Sequence, residues 1–188
     1  VRQVRVSGVE ADDLISIFAY RSVANGFRPT IYSGDQDFHQ LVVDVNILSP
    51  HNSWVDEETV KAAWGISSVT HLTQIRAMIG DSSDNIKGVP GIGKKRAPEV
   101  FEAMQGLYEF LPPKNRKWVD VVMAHKEVCA RNIQLMSLPK QWTDTRYEDW
   151  QILDAEDQFA TITEKDPEKF SLFARDWDLN TTLERIGK

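Results

Sequence analysis

The sequence predicts an α/β fold in which a parallel, Rossmann-like sheet is followed by a helical lobe. Two observations lead to this prediction. Over residues 1–70, short β-rich runs alternate with stretches of helical periodicity, which is the pattern of a parallel sheet with crossover helices. From residue 71 onward, helical periodicity recurs between glycine and proline breaks. With 188 residues and a hydrophobic fraction of 41%, the chain is long and apolar enough to bury a core.

The elements of the first half follow from local signals. They are a helix, a strand, a short helix, a strand and a helix, predicted over residues 9–23, 29–33, 38–42, 45–49 and 56–65. Asn25-Gly26 ends the first helix, because glycine readily takes the left-handed conformation that follows a helix. Asp56 is predicted to cap the last helix and Gly65 to end it. Acids that directly follow a strand lie at its carboxyl end, where open α/β sheets place their sites.

The second half is predicted to be helical. Helices are expected over residues 72–79, 94–104, 118–136 and 167–177. Pro98 lies early enough in its helix to be tolerated in the first turn. Gly106 and Pro112-Pro113 mark breaks between helices. We therefore expect three parts: an α/β core over residues 1–70, a helical lobe over 71–139 and a helical extension over 140–188.

Charge and cysteine content restrict the class of protein. The net charge of −6 argues on its own against a nucleic-acid binder, but the basic residues are clustered, which weakens that argument. The single cysteine, Cys129, excludes an internal disulfide framework and favours a reducing cytoplasm. The apolar runs are too short to span a bilayer, so no membrane partner is expected.

Three short acidic clusters carry the main chemical signal. They are V-E-A-D-D, S-G-D-Q-D-F and I-G-D-S-S-D-N, with the acids Glu10, Asp12, Asp13, Asp35, Asp37, Asp81 and Asp84. Each cluster alone is more simply explained as a helix start, a cap or a loop. Their combination at strand and helix ends favours oxygen ligands for a hard divalent cation, because so many converging carboxylates would otherwise repel one another.

A glycine hairpin, G-V-P-G-I-G-K-K-R, occupies residues 88–96 between two predicted helices. Such glycine patterns are also common in ordinary turns. Here Gly88, Gly91 and Gly93 permit a tight turn and close approach to another backbone. The following Lys94, Lys95 and Arg96 supply charge that neutralises phosphate. The segment therefore predicts sequence-independent contact with a nucleic-acid backbone.

These motifs, together with R-N-I-Q-L-M-S-L-P at residues 131–139, resemble the 5′ nuclease (flap endonuclease) family. The resemblance is strongest to phage 5′–3′ exonucleases and to the 5′ nuclease domain of bacterial DNA polymerases. It covers residues 9–139. It implies a PIN-like core with a helix-three-turn-helix module, acting in DNA replication and repair on duplex DNA with a 5′ flap or 5′ end.

The resemblance also implies a metal site and a DNA site. Two divalent ions, Mg²⁺ or Mn²⁺, would be held directly or through water, the first by Glu10, Asp12, Asp13 and Asp35, the second by Asp37, Asp81 and Asp84. Asp35 and Asp37 would be the catalytic acids. Duplex DNA would contact Gly88, Val89, Gly91, Ile92, Gly93, Lys94, Lys95 and Arg96, and a K⁺ ion would bind the carbonyls of Val89 and Ile92.

Two features of the family do not precede Val1 in the sequence. The family has an N-terminal strand with a further metal-site aspartate and a basic, aromatic helical arch, and neither precedes Val1. We therefore expect the chain to be the C-terminal two-thirds of such an enzyme, with an upstream segment as a partner. The alternatives are a catalytically incomplete DNA-binding fragment or subunit, and an RNA-directed PIN nuclease. The helix-hairpin-helix disfavours the RNA-directed alternative.

Overall fold

The computed structural model describes residues 3–106, 110–142 and 147–160. Its helices are α1 Ala11–Ala24, α2 Glu57–Trp64, α3 Leu72–Ile79, α4 Ala97–Gln105, α5 Pro113–Ala124, α6 Lys126–Met136 and α7 Asp149–Ala160. Its strands are β1 Thr30–Tyr32, β2 Asn46–Leu48, β3 Trp54–Val55, β4 Gly80–Asp81 and β5 Ile86–Lys87. Among the described residues, 3₁₀ helices span Gln36–Leu41 and Val69–His71.

The main sheet has the order β1-β2-β3. Strands β1 and β2 are parallel, with Ile31 opposite Ile47, which confirms the predicted α/β fold and its parallel pair. Strand β3, which was not predicted, pairs antiparallel with β2. A tight return through Asn52, at a φ of 57°, brings β3 back along β2. A two-residue strand of this kind depends on its partner and leaves little trace in the sequence.

The connection from β1 to β2 places the second acidic cluster. Asp35 caps the 3₁₀ helix Gln36–Leu41 by accepting a hydrogen bond from the amide of Asp37. Phe38 and Leu41 anchor this helix, since both are buried, and Ile47 of β2 is also buried. The buried apolar residues thus fix the turn that follows β1, and Asp35 and Asp37 lie at the carboxyl end of that strand.

The helical region differs from its prediction at one point. A single helix was predicted over residues 118–136, but α5 and α6 are separate, with a break at His125. The imidazole Nδ1 of His125 lies 2.8 Å from the carbonyl oxygen of Val121. The backbone amide of His125 instead donates to Val122 at 2.9 Å. The side chain therefore takes the acceptor that a continuous helix would use, which ends α5.

The chain divides into two compact units. The first comprises Val1–Arg21 and Pro139–Lys188, and the second comprises Ser22–Leu138. In the first unit Val6, Leu14, Phe18 and Ala155 form a buried cluster. The three-part division at residues 70 and 139 remains a prediction. Of the expected C-terminal extension, α7 is described, whereas residues 161–188, with the helix predicted over 167–177, lie outside the described residues. Among the helices that the structure describes, none is long and apolar enough to cross a membrane.

Candidate metal centre and nucleic-acid interface

Arg76 of α3 joins the second and third acidic clusters. One terminal nitrogen of its guanidinium pairs with Oδ1 of Asp37, and the other lies 3.1 Å from Oδ2 of Asp81. The Arg76 side chain is 7% exposed, and those of Asp37 and Asp81 are 22% and 23% exposed. Two carboxylates that lie 44 positions apart in the sequence (81 − 37) therefore share one shielded cation.

The second cluster is shaped by hydrogen bonds within its own turn. The amide of Asp35 donates to the Ser33 hydroxyl at 3.1 Å, and the amide of Asp37 donates to Oδ1 of Asp35 at 2.9 Å. Asp35 is exposed, whereas Asp37 is half-buried. The Gln40 amide nitrogen donates to the Asp37 carbonyl at 2.9 Å and to the Met136 carbonyl at 3.2 Å. Gln40 thereby ties the acidic turn to the end of α6.

The third cluster forms the loop of a two-stranded ribbon. Strands β4 and β5 pair antiparallel, with Asp81 opposite Ile86. Oδ1 of Asp81 accepts hydrogen bonds from both the amide and the hydroxyl of Ser83. Asp84 is exposed at the tip of the loop, next to Asn85 at a φ of 57°. This ribbon, which the sequence analysis did not predict, fixes Asp81 at the end of α3.

The two acids that share Arg76 differ in their proton affinity. Burial raises the pKa of Asp37 above its ordinary value of 3.8, and the nearby charges of Asp35 and Asp81 add to this rise against the opposing effect of Arg76. The hydrogen bond from the Ser83 hydroxyl lowers the pKa of Asp81 below 3.8, with smaller help from Arg76. Asp81 is therefore the more firmly ionised acid of the pair.

The first cluster lies at the start of α1, in the other compact unit. Asp13 is 9% exposed, and its Oδ2 accepts a hydrogen bond of 2.7 Å from the Tyr147 hydroxyl. Asp12 accepts a bond of 3.0 Å from the amide of Asp13, and Glu10 is exposed. Asp13 thus has a structural partner, and the assignment of these three acids as metal ligands remains a proposal.

The acids of the second unit fit a magnesium-type ion through their chemistry. Within the described ranges, no three histidine, cysteine, aspartate or glutamate side chains are arranged as a ready-made metal cage. Mg²⁺ is commonly held by one or two carboxylates, with water and phosphate oxygens completing its shell. Asp37 and Asp81, which both pair with Arg76, provide two such carboxylates. The donor set suits Mg²⁺ or Mn²⁺ better than an ion that requires a full protein cage.

The glycine hairpin packs directly on the end of α3. The amide of Val89 donates to the Met78 carbonyl at 2.8 Å. A Cβ atom on Gly88 would lie 2.1 Å from the carbonyl oxygen of Ile79, and one on Gly80 would lie 2.4 Å from the amide of Gly88. Only glycine fits at these two positions, because the clashing atoms belong to the backbone. The hairpin therefore begins at a fixed place beside Asp81.

The hairpin carries basic residues that lie on aromatic rings. Arg96 donates to the Gly91 carbonyl, and its guanidinium lies 3.9 Å from the centre of the Trp118 ring. The Lys94 ammonium lies 4.3 Å from the centre of the Trp64 ring, and Lys95 is exposed. The side chains of Val89 and Ile92 are buried, and the Val89 carbonyl accepts the amide of Ile92 at 3.0 Å. These contacts hold Arg96 and Lys94 against aromatic rings, while K⁺ binding by the two carbonyls remains a proposal.

Two residues of this region were missed by the sequence analysis. Arg76 interrupts the buried face of α3, where Ile75, Ala77 and Met78 are buried, and a cation among apolar positions was a usable signal. Asn132 of α6 is completely buried, and its amide nitrogen donates to the carbonyls of Ala77 and Lys87, both at 2.9 Å. Asn132 thereby joins α3 to the ribbon that carries Asp81. It lies in the R-N-I-Q-L-M-S-L-P motif, but nothing in that motif indicates which groups it contacts.

The sequence of this chain is similar to those of known 5′-3′ exonucleases and DNA polymerases. A family model described as the 5′-3′ exonuclease N-terminal resolvase-like domain matches residues 1–65. The chain is 30% identical over 167 residues to DNA polymerase I of Borreliella burgdorferi, covering 85% of this chain and 18% of that protein. It is 38% identical over 128 residues to the 5′-3′ exonuclease of Buchnera aphidicola, covering 62% of this chain and 44% of that protein. The chain thus spans less than half the length of either relative.

A solved structure shares the fold. It is a bacteriophage T5 flap endonuclease described as a pseudo-enzyme-product complex with DNA and metal ions. The two structures superpose with a TM-score of 0.66 at 23% sequence identity, over 81% of this chain and 60% of that one.

Proposed function

We propose that this chain is a 5′ nuclease that hydrolyses DNA phosphodiester bonds as a metal-dependent 5′–3′ exonuclease or flap endonuclease. Its match to the 5′-3′ exonuclease family model over residues 1–65 and its fold support this proposal. The observation that carries this proposal is the meeting of Asp37 and Asp81 on Arg76, directly beside the glycine hairpin. An acidic centre suited to a divalent ion and a backbone-binding hairpin then lie in one compact unit.

The ions in this proposal are two of Mg²⁺ or Mn²⁺. When bound, they would supply Lewis-acid stabilisation of charge on the attacking and leaving oxygens, so that no protein nucleophile is needed. In the second unit Asp35, Asp37, Asp81 and Asp84 are the proposed ligands, and Glu10, Asp12 and Asp13 are proposed from the start of α1. Asp81, kept ionised by its Ser83 hydrogen bonds, is suited to hold an ion over a wide pH range.

The DNA partner in this proposal is a duplex with a 5′ flap or 5′ end. The hairpin would contact the sugar-phosphate backbone, with Lys94 and Lys95 neutralising phosphates. Such contacts fix the position of the duplex without reading its sequence. A K⁺ ion between the hairpin carbonyls and a phosphate is part of the same proposal. Since the ribbon that carries Asp81 runs straight into the hairpin, a bound duplex would be placed relative to the acids.

A cleavage assay tests the proposal. The substrate is a 5′-labelled flapped DNA duplex. The product of the natural gene and the 188-residue chain are assayed in parallel. We expect cleavage that needs Mg²⁺ or Mn²⁺ and stops with a chelator. Asp81→Asn should lower the cleavage rate by about 10- to 100-fold or more. Replacing a residue that only hydrogen-bonds to a metal ligand already has an effect of that size.

Other outcomes of this assay would contradict the proposal. Binding of the flapped duplex without cleavage in either ion would favour the DNA-binding alternative. Faster cleavage of a single-stranded RNA of the same sequence would favour the RNA-directed alternative. A rate that Asp81→Asn leaves unchanged would remove Asp81 from the metal centre.

A further inference from the structure

Arg76 occupies a position where a cation requires a specific reason. It is 6% exposed on the face of α3 that also buries Leu72 and Ile75. Its guanidinium is balanced by Asp37 and Asp81, and it lies 5.7 Å from the centre of the Trp64 ring. A buried ion pair is often no better for stability than an apolar replacement, so stability alone does not account for this arrangement.

We propose that Arg76 is the resident counter-charge of the metal centre, which holds Asp37 and Asp81 together and with which a divalent ion must compete. This inference rests on the proposed function, because the ion concerned is the one that the nuclease would use. Arg76 would thus set the affinity for the ion, and it would not itself contact the reacting phosphate.

Arg76 groups two acids that come from different elements of the fold. Asp37 comes from the 3₁₀ helix after β1, and Asp81 comes from β4, so the two acids belong to different elements of the fold. The fork of the guanidinium gives each acid its own nitrogen, which fixes the spacing of the two carboxylates. The acids are therefore already grouped by Arg76 before any divalent ion binds.

The electrostatic consequence concerns affinity. An ion that binds an oxygen of Asp37 or Asp81 at about 2.0–2.6 Å comes close to the guanidinium bonded to the same carboxylate. A unit positive charge about 4 Å from a divalent cation weakens its binding by about tenfold or more, even at the dielectric constant of water. Removing the charge of Arg76 should therefore tighten binding of the ion, although it weakens the fold.

The test is a titration of the 188-residue chain with Mn²⁺ in the absence of DNA, measured by isothermal titration calorimetry. Arg76→Met should bind Mn²⁺ about tenfold more tightly than the original chain, whereas Arg76→Lys, which keeps the charge, should stay within about threefold of it. Arg28→Met removes an exposed cation from the same compact unit and serves as the matched control for net charge. It should leave the affinity within about twofold.

The comparison can also be made where Arg76→Met alone does not fold. Asp37→Asn is then the reference, and Asp37→Asn combined with Arg76→Met should bind Mn²⁺ several-fold more tightly than that reference. Circular dichroism establishes which variants are folded.

The inference would be overturned if Arg76→Met bound Mn²⁺ no more tightly than the original chain. It would also be overturned if Arg76→Lys gained as much Mn²⁺ affinity as Arg76→Met, or if no variant bound Mn²⁺. The cleavage assay separates this failure from failure of the proposed function. If the chain cleaves DNA in a metal-dependent way but Arg76→Met does not bind Mn²⁺ more tightly, the proposed function stands and the inference fails. If Arg76→Met binds Mn²⁺ more tightly but no cleavage is seen, the inference stands and the proposed function fails.

Discussion

At the residue scale, Asp37 and Asp81 show how one cation can serve two acids of different character. Both carboxylates pair with Arg76, yet burial raises the pKa of Asp37 while the Ser83 hydrogen bonds lower that of Asp81. The difference arises from the surroundings of each acid, not from the shared guanidinium. Asp81 therefore stays ionised to a lower pH than Asp37 does.

The opposite directions of the two pKa shifts predict opposite effects of pH on stability. The stabilising contribution of Asp81 is present above its ordinary pKa of 3.8 and is lost as the pH falls through its lowered pKa. The contribution of Asp37 is present below 3.8 and is lost as the pH rises through its raised pKa.

Urea unfolding between pH 2 and pH 7 measures both effects. Relative to Asp81→Asn, the original chain should lose stability as the pH falls below 3.8. Relative to Asp37→Asn, it should lose stability as the pH rises above 3.8. Curves for the two variants that run parallel would contradict the assignment of different surroundings to the two acids.

At the element scale, the junction of α3, the ribbon and the hairpin depends on backbone contacts that leave no room for side chains. Gly88 lies against the carbonyl oxygens of Met78 and Ile79, while Asn132 supplies donors to Ala77 and Lys87. Elements with local signals could be predicted from the sequence: Asp56 caps α2, and Gly65 ends it at a φ of 64°. Strands β3, β4 and β5 could not, because two residues carry no period and depend on their partners.

Two glycines of the same hairpin provide a matched pair of variants. In Gly88→Ala the new Cβ would lie 2.1 Å from a backbone oxygen, so we expect a loss of about 1–3 kcal/mol or more in the free energy of unfolding. In Gly93→Ala the new Cβ would have no atom within 4 Å, so we expect a change within about 0.5 kcal/mol. Chemical denaturation measures both values. Equal losses in the two variants would show that the close approach at Gly88 is not what fixes the hairpin.

At the scale of the whole molecule, the net charge of −6 conceals two neighbouring groups of charge within the second compact unit, one acidic and one basic. The acids meet at Arg76, and the cations of the hairpin lie on Trp64 and Trp118. The motifs predicted both groups, since their order along the chain is visible in the sequence. The contacts of Arg76 with Asp37 and of Asn132 with Ala77 and Lys87 could not be predicted, because they join segments that lie far apart in the chain.

Anomalous scattering from Mn²⁺ in soaked crystals of the chain tests directly whether the second and third acidic clusters form a divalent-metal centre. We predict a peak within about 2.0–2.6 Å of a carboxylate oxygen of Asp37 or Asp81, with Arg76 moved off at least one of the two acids. The peak should disappear in Asp81→Asn crystals treated in the same way. Crystals in which Arg76 keeps both acids and Mn²⁺ binds elsewhere, or not at all, would contradict this assignment.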